Sequence, residues 1–169
     1  MSSALSDAVE NVLGHAYPDH WPGGWRRVSR WWMLGAADPV KRQVTLAIYD
    51  QGITIPASLP KIWGAMDVAR VFARDYKVQF SPDATTYDGQ TIDAAMKIGA
   101  TSTQLAHRGL GLNKIREAML KCVEGQLRII SRCGECVYSA DGKVAIKNHT
   151  VPLFGTFVEL QASFDASEV

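Results

Sequence analysis

Two polar side chains near the start of the chain have a spacing that could bind a cation. Apolar residues recur at helical intervals over residues 3–17, and Pro18 follows, which predicts a first helix. Asp7 and Asn11 lie one turn apart on the polar side of this helix, together with His15. A carboxylate and an amide oxygen placed in this way could hold a hydrated Mg²⁺ ion and its phosphate. The other interpretation of the pattern is a solvated polar face.

An acid and a glycine stand at the end of an apolar run in the segment LAIYDQGITIP, residues 46–56. The run predicts a buried strand that ends on Asp50, and Gly52 follows two residues later. An ionised carboxylate at the edge of a core costs free energy unless a partner satisfies it. The sequence therefore requires a polar partner for Asp50.

Two glycines precede a predicted helix in the segment HRGLGLNKI, residues 107–115. Backbone N–H groups at such a loop can face an anion, and the helix N-terminus adds its partial positive charge. The segment is therefore a candidate phosphate cradle, and a simple turn is the alternative. It is not a P-loop, because Leu112 and Asn113 stand where the lysine and hydroxyl residues would be. It is not a dinucleotide-binding turn either, since a polar segment and not a strand precedes it.

The predicted elements that must position these residues form one α/β domain spanning residues 1–169. At 169 residues with 47% apolar composition, the chain has about the length of one domain and can bury a core. We expect strands at 26–35 and 42–50, helices near 60–75, 91–99 and 112–124, and about three strands after residue 125. The long connection over residues 57–108 includes a polar loop at 81–90 and is predicted to act as a lid.

Charge and hydropathy narrow the possible partners. The net charge is +1, with both signs interspersed, so nothing favours binding to a nucleic acid or to an acidic membrane surface. No apolar run reaches the roughly 18 to 20 residues needed to span a bilayer, and the N-terminus lacks a signal-peptide pattern. A cytoplasmic location and a small-molecule or protein partner are therefore expected.

The cysteines are too few for a disulfide framework, since the chain has three. Cys133 and Cys136 have the spacing of a zinc knuckle or a redox pair. The favoured interpretation is a hairpin tip at Gly134 and Glu135, which would place two ordinary cysteines side by side.

Taken in order, four segments of the chain resemble the boxes of the GHKL family of ATP-binding domains, shared by gyrase, heat-shock chaperones, histidine kinases and mismatch-repair proteins. DAVENVLGHA resembles its Asn box, DQGITIP its first glycine box and RGLGLNKI its second, and GTFVEL is similar to its late Gly-Thr strand. The resemblance covers residues 4–161 and lies closest to the histidine-kinase-like branch. It implies a Bergerat-type two-layer α/β sandwich, with a mixed, mostly antiparallel sheet, helices on one face and a lid over the nucleotide.

The resemblance also implies roles for individual residues, with ATP and Mg²⁺ as the ligands. Asp50 would accept a hydrogen bond from the adenine amino group, Gly52 would let the backbone approach the base, and Thr156 would reach the same edge of the ring directly or through water. Asn11 would ligate Mg²⁺ through its amide oxygen. The remaining residues implied at the nucleotide are His15, Thr54, Ile55, the lid residues Thr101, Ser102, Thr103 and Arg108, and the cradle residues Gly109, Leu110, Gly111 and Leu112.

Three positions depart from the family pattern. Asp7 stands where hydrolysing members have a glutamate. Because aspartate is one methylene shorter, its carboxylate would lie roughly 1 to 1.5 Å further from the reacting atoms, and a misplacement of that size can lower the rate of hydrolysis by about 100-fold. Gly14 stands where a histidine kinase often has a basic residue. Thr54 replaces the second glycine of the first box, so we expect an ordinary backbone there, and its hydroxyl could contact the nucleotide.

The resemblance leaves several functions open. The chain could hydrolyse ATP slowly, or transfer phosphate to a histidine or serine of an unidentified protein partner. Alternatives are an ATP-responsive protein-interaction switch without catalysis, favoured by Asp7, and a structural relative that binds no nucleotide. Because the Asn box begins almost at Met1, the chain could be the C-terminal part of a longer protein.

Overall fold

The computed structural model describes residues 30–101, 115–117, 119–120, 122 and 124–163, with side chains described only up to residue 98 in the first range. The strands are β1 (Trp31–Asp38), β2 (Gln43–Asp50), β3 (Glu124–Ser139) and β4 (Val144–Ser163). The helices are α1 (Ile55–Trp63), α2 (Ala65–Val71), a π-helix (Phe72–Tyr76) and α3 (Asp88–Thr101). Residues 115–117 and 119–120 are also helical.

The four described strands form one antiparallel sheet in the order β1-β2-β4-β3. Chain order and sheet order differ because β4 inserts between β2 and β3. Residues directly opposite each other in antiparallel strands share a face of the sheet. The register therefore places Trp31, Asp50, Thr156 and Ser131 in one row across all four strands. The expectation of an α+β fold with a mostly antiparallel sheet and helices is confirmed for the described residues.

The main core lies between this sheet and α3. Leu127 and Ile129 alternate along β3 with half-buried residues, and both are fully buried, as are Ile92 and Met96 of α3. Burying each such side chain contributes about 1.5 to 3 kcal/mol. The period of two in β3 and the helical spacing in α3 thus bring their apolar sides together.

A second, smaller core joins the helices to one another. Leu59, Val68, Phe72 and Ala94 are buried together, one from each of α1, α2, the π-helix and α3. The helices between β2 and β3 therefore form a layer with its own apolar contacts.

A buried ion pair fastens the start of α3 to β3. Asp88 is fully buried, and the Arg132 Nε donates a hydrogen bond to its Oδ2 at 2.7 Å. The backbone N–H of Cys133 donates to the same oxygen at 2.9 Å. The β3–β4 register shifts at this point, and Arg132 has a φ of 54°. A Cβ on Gly134 would lie 2.3 Å from the carbonyl carbon of Asp88, so the bulge fits tightly against the helix start.

The element boundaries correct several expectations. The single helix expected near 60–75 is divided at Gly64, which has a φ of 85° and separates α1 from α2. The helix expected at 91–99 begins earlier, at Asp88, so the polar loop is shorter. Two long strands, and not three, follow residue 124 in the described chain. The lid role of residues 57–108 stays a prediction.

The prediction of a hairpin tip at Gly134 and Glu135, between the two cysteines, is wrong. Cys133 and Cys136 both lie within β3, on either side of the register shift, and the turn follows at residues 140–143 with Gly142 at a φ of 83°. Both cysteines are buried and unbonded to each other. The alternation in this part of the sequence was broken by the bulge and not by a turn.

None of the helices in the described ranges is long and apolar enough to cross a lipid bilayer.

Candidate functional site

Asp50 is a buried carboxylate at the end of a core strand. It is the last residue of β2 and is 6% exposed. Its Oδ1 accepts a hydrogen bond of 2.8 Å from the backbone N–H of Gly52. This contact between a side chain and the backbone two residues later turns the chain out of the strand. A neighbouring backbone N–H therefore supplies part of the hydrogen bonding that the buried carboxylate requires.

Gly155 explains why a glycine precedes the hydroxyl in the late strand. Its φ is 95°, a conformation that favours glycine, and a Cβ there would lie 1.9 Å from the backbone oxygen of Asp50. The β4 backbone thus passes directly against the end of β2. This close approach sets Thr156 opposite Asp50 in the sheet.

Thr156 lies opposite Asp50 in the sheet and contacts Ser131, a residue outside the sequence motifs. It is 9% exposed, and its Oγ1 lies 3.0 Å from the Oγ of Ser131, which is fully buried on β3. The Ser131 Oγ also lies 3.2 Å from the Gly155 carbonyl oxygen. The sequence does carry a signal for Ser131, since it follows Leu127 and Ile129 at the period of the buried side of β3.

Thr54 and Ile55 form the start of α1 beside this row. Thr54 has φ −74° and ψ 153°, so the ordinary backbone expected there is confirmed. Its carbonyl oxygen accepts hydrogen bonds from the N–H groups of Ala57 and Ser58, which begins the helix. The N–H of Ile55 donates to the Ser131 Oγ at 2.9 Å. The N–H of Ile55, which has no acceptor within the first turn of the helix, therefore finds its acceptor on β3.

The structure brings together five of the predicted site residues, Asp50, Gly52, Thr54, Ile55 and Thr156, and adds Ser131 and Gly155 to them. The side chain of Thr101, at the end of α3, is not described. The other predicted site residues lie outside the described residues: Asp7, Asn11, His15, Ser102, Thr103, Arg108, Gly109, Leu110, Gly111 and Leu112. The predicted phosphate and Mg²⁺ half of the site thus stays a prediction.

The two buried cysteines, Cys133 and Cys136, lack the exposure that a reactive redox pair requires. The Cys136 Sγ donates to the Gly89 carbonyl oxygen at 3.0 Å. Burial raises the pKa of Cys136 to about 12, so its nucleophilic thiolate is scarce at neutral pH. Across the described ranges, His, Cys, Asp and Glu side chains form no group of three or more suited to hold a metal ion.

Another buried carboxylate, Asp93 of α3, has partners on the π-helix, on α3 and on β3. It accepts hydrogen bonds from the hydroxyl groups of Tyr76 and Tyr138. Its Oδ2 also forms an ion pair with the Lys97 Nζ at 2.9 Å. Burial and the hydrogen bond to Asp93 raise the pKa of Tyr76, and burial does the same for Tyr138. Although burial opposes it, contact with Asp93 and Asp75 raises the pKa of Lys97. This network joins the π-helix, α3 and β3.

Glu135 is a fourth buried carboxylate, and it bridges β3 to β4. Its two oxygens lie 2.8 Å from the Arg128 Nε and 2.7 Å from the His149 Nε2. Burial opposes ionisation, but these two hydrogen bonds hold the pKa of Glu135 below its ordinary value. Asp93 and Glu135 are thus each held by several protein groups.

Comparison with known proteins adds no assignment. A scan against protein-family models found no match, and a search of curated proteins found no significant similarity.

Proposed function

We propose that the protein binds ATP with Mg²⁺ in a GHKL-type pocket of a Bergerat-type sandwich, with the adenine ring beside Asp50 and Thr156. The observation that carries the proposal is the pairing of a buried carboxylate, Asp50, with a hydroxyl, Thr156, at directly opposite positions of β2 and β4. This geometry agrees with the roles that the sequence resemblance implies for both residues.

The chemistry of the pair suits adenine better than guanine. An ionised carboxylate only accepts hydrogen bonds, whereas a hydroxyl both donates and accepts. Adenine presents an amino donor beside the N1 acceptor, so Asp50 would accept from the amino group while Thr156 donates to N1. Guanine presents a carbonyl oxygen in place of the amino group, and two acceptors would then face each other. Selectivity for adenine should therefore come mainly from Asp50.

The phosphate half of the proposed pocket rests on the sequence. Asn11 would supply an amide oxygen to Mg²⁺, an ion that prefers oxygen ligands and is often bound together with substrate phosphates. The backbone amides of the glycine-rich segment Gly109–Leu112 would hold the phosphates. When bound, Mg²⁺ would neutralise part of the phosphate charge.

ATP binding could have either of two consequences: a chemical reaction of the γ-phosphate, or a change in a protein-interaction surface. Slow hydrolysis or phosphate transfer to a partner protein requires Asp7 to act as the group that activates the acceptor. The shorter reach of Asp7 compared with glutamate favours a second candidate, a switch in which ATP binding changes a protein-interaction surface without catalysis. Both forms share the same adenine contacts at Asp50.

Thermal unfolding in the presence of nucleotides tests binding. A ligand at 100 times its dissociation constant stabilises the folded state by about 2.7 kcal/mol, which raises the melting temperature measurably. We expect a rise with Mg·ATP, Mg·ADP and a non-hydrolysable ATP analogue, and a smaller one with Mg·GTP. If none of the adenine nucleotides changes the melting temperature, the proposal is wrong.

Phosphate release then separates the two outputs. Slow release that disappears in Asp7→Asn indicates hydrolysis assisted by that carboxylate. Binding without release, and without transfer of labelled phosphate to co-purified proteins, indicates the switch.

A further inference from the structure

The strand β1 presents large apolar side chains to solvent at one edge of the sheet. Trp32, Met33 and Leu34 are 47%, 52% and 66% exposed. Among the described strands, β1 is the first of the sheet and pairs with β2 on one side. The other side of such a strand carries backbone N–H and C=O groups that can pair with a further strand. An exposed apolar surface and a sheet edge thus coincide at β1.

The sequence of β1 lacks the features that usually keep a sheet edge from pairing with another chain. Residues 31–37 include no charged residue and no proline. The register with β2 runs through all eight residues of β1 without a shift. Charged side chains, prolines and bulges are the common protections of an edge strand. The strand β1 is therefore suited to accept a strand from another molecule.

We propose that two copies of this chain associate through β1, in antiparallel pairing about a two-fold axis that passes through Leu34 perpendicular to the sheet. Leu34 of one copy then lies opposite Leu34 of the second copy. The two four-stranded sheets of the described residues join into one continuous sheet. The interface is isologous, since both copies contribute the same strand. The proposal does not depend on the proposed ATP site.

The sizes of the side chains favour this register. Successive residues of a strand alternate between the two faces of a sheet, and directly opposite residues share a face. With the axis at Leu34, Trp32 lies opposite Ala36 of the second copy. On the other face, Met33 lies opposite Gly35 of the second copy. Each large side chain is thus set beside a small one.

The two neighbouring registers that keep the faces aligned are less favourable. An axis at Met33 would set Trp32 opposite Leu34, which places two large side chains at one pair. An axis at Gly35 would set Trp32 opposite Asp38, which places a carboxylate beside an indole. The axis at Leu34 avoids both arrangements.

Charge at the two ends of β1 favours the same register. With the axis at Leu34, Arg30 lies opposite Asp38 of the second copy, and symmetry repeats this pair at the other end. The Asp38 side chain is 41% exposed, and its ion pair with Lys41 spans 3.7 Å, so a second cation can approach the carboxylate. Exposed ion pairs contribute little affinity but help to fix the register of an interface.

Sedimentation velocity over a range of protein concentrations measures the association. We expect the unchanged protein to show a monomer–dimer equilibrium. Leu34→Lys would place two like charges at the axis and should raise the dissociation constant of the dimer by about 10-fold or more. Val151→Lys is the matched control, because Val151 is an apolar residue of β4 with 76% exposure. It should leave the dissociation constant unchanged.

Disulfide trapping tests the register. Directly opposite residues of antiparallel strands have Cα atoms about 4.5 to 5.5 Å apart, a separation that a disulfide can bridge. Leu34→Cys should therefore link two copies under mild oxidation. Ala36→Cys is the control on the same face of β1, because the two copies of this position would lie roughly 14 Å apart along the strand and should not link. Peptide mass spectrometry locates the bond, since the chain also has three native cysteines.

Three results would overturn the inference. A monomer at every concentration would mean that β1 does not pair with a second copy. A dimer of equal stability in Leu34→Lys would place the contact elsewhere on the molecule. Equal linking in Leu34→Cys and Ala36→Cys would contradict the axis at Leu34. Should Leu34→Lys fail to fold, Arg30→Glu, which sets two carboxylates opposite each other, is measured in its place and should also weaken the dimer.

Discussion

The Cβ position of Gly155 and the backbone oxygen of Asp50 are only 1.9 Å apart, so the chain leaves no room for a side chain at residue 155. Gly155 also has a φ of 95°, which L residues rarely adopt. We expect Gly155→Ala to reduce the free energy of unfolding by about 3 kcal/mol or more, from backbone strain and the clash together. Urea denaturation measures the change.

Gly142→Ala is the control for that substitution. Gly142 has a similar φ of 83°, but a Cβ there would meet no atom within 4 Å. Its cost should be strain alone, about 1 to 2 kcal/mol. Equal losses in the two variants would contradict the close approach of β4 to Asp50.

The Asp88–Arg132 pair should contribute much more to stability than an exposed pair. Asp88 is fully buried, so Arg132→Met would leave its carboxylate without the guanidinium, which typically costs about 3 to 5 kcal/mol. Arg70→Met breaks an exposed pair with Asp67 and should cost less than about 1 kcal/mol. Chemical denaturation of both variants compares the losses, and similar values would show that the buried pair does not fasten α3 to β3.

Glu135 should make stability depend on pH in the acid range. Burial opposes its ionisation, but the His149 and Arg128 contacts lower the pKa of Glu135 in the folded state. The unfolded chain then binds the proton more readily, so stability is present above the unfolded pKa of about 4.5 and is lost as the pH falls through the folded pKa. Glu135→Gln should lose less free energy of unfolding between pH 5 and pH 3 than the unchanged protein.

Glu124→Gln, at the exposed start of the same strand, is the control for the pH measurement. It should retain the pH dependence of the unchanged protein. A Glu135→Gln variant with that same dependence would mean that Glu135 is not linked to folding.

The cysteines should react in a fixed order with a thiol reagent. Cys122 is partly exposed, whereas Cys133 and Cys136 are buried, and burial raises the pKa of Cys136 to about 12. In the folded protein we expect one thiol to react readily and the other two only after unfolding. Mass spectrometry of alkylated peptides identifies the sites. Rapid modification of Cys136 in the native state would revive the interpretation of a reactive pair.

The sequence correctly predicted those structural features that depend only on a residue and its near neighbours. The apolar run before Asp50 predicts the end of β2, and the strands expected at 26–35 and 42–50 overlap β1 and β2, which pair in antiparallel fashion. Thr54 could be assigned an ordinary backbone because a threonine at positive φ would be strained. These inferences use only a residue and its near neighbours.

The missed features depend on contacts between distant segments. Ser131 reaches Thr156 across 25 positions, and their pairing depends on a register that shifts directly after Ser131. The same bulge places Cys133 and Cys136 inside a strand, where their spacing suggested a turn. The predicted GHKL roles of Asp50 and Thr156 concern a pair of residues that the sheet does bring together, while the role of ATP remains a proposal.

The most direct test of that proposal is a calorimetric titration of Mg·ATP into the unchanged protein and into Asp50→Asn. The variant replaces one carboxylate oxygen by an amide donor, which would oppose the adenine amino group. We expect it to weaken binding by about 10-fold or more, as for loss of a hydrogen bond to a charged group. Asp38→Asn, at the end of the neighbouring strand β1 with its carboxylate partly exposed, should bind as the unchanged protein does. Equal affinity for ATP in the Asp50→Asn variant, or no binding to the unchanged protein, would contradict the account.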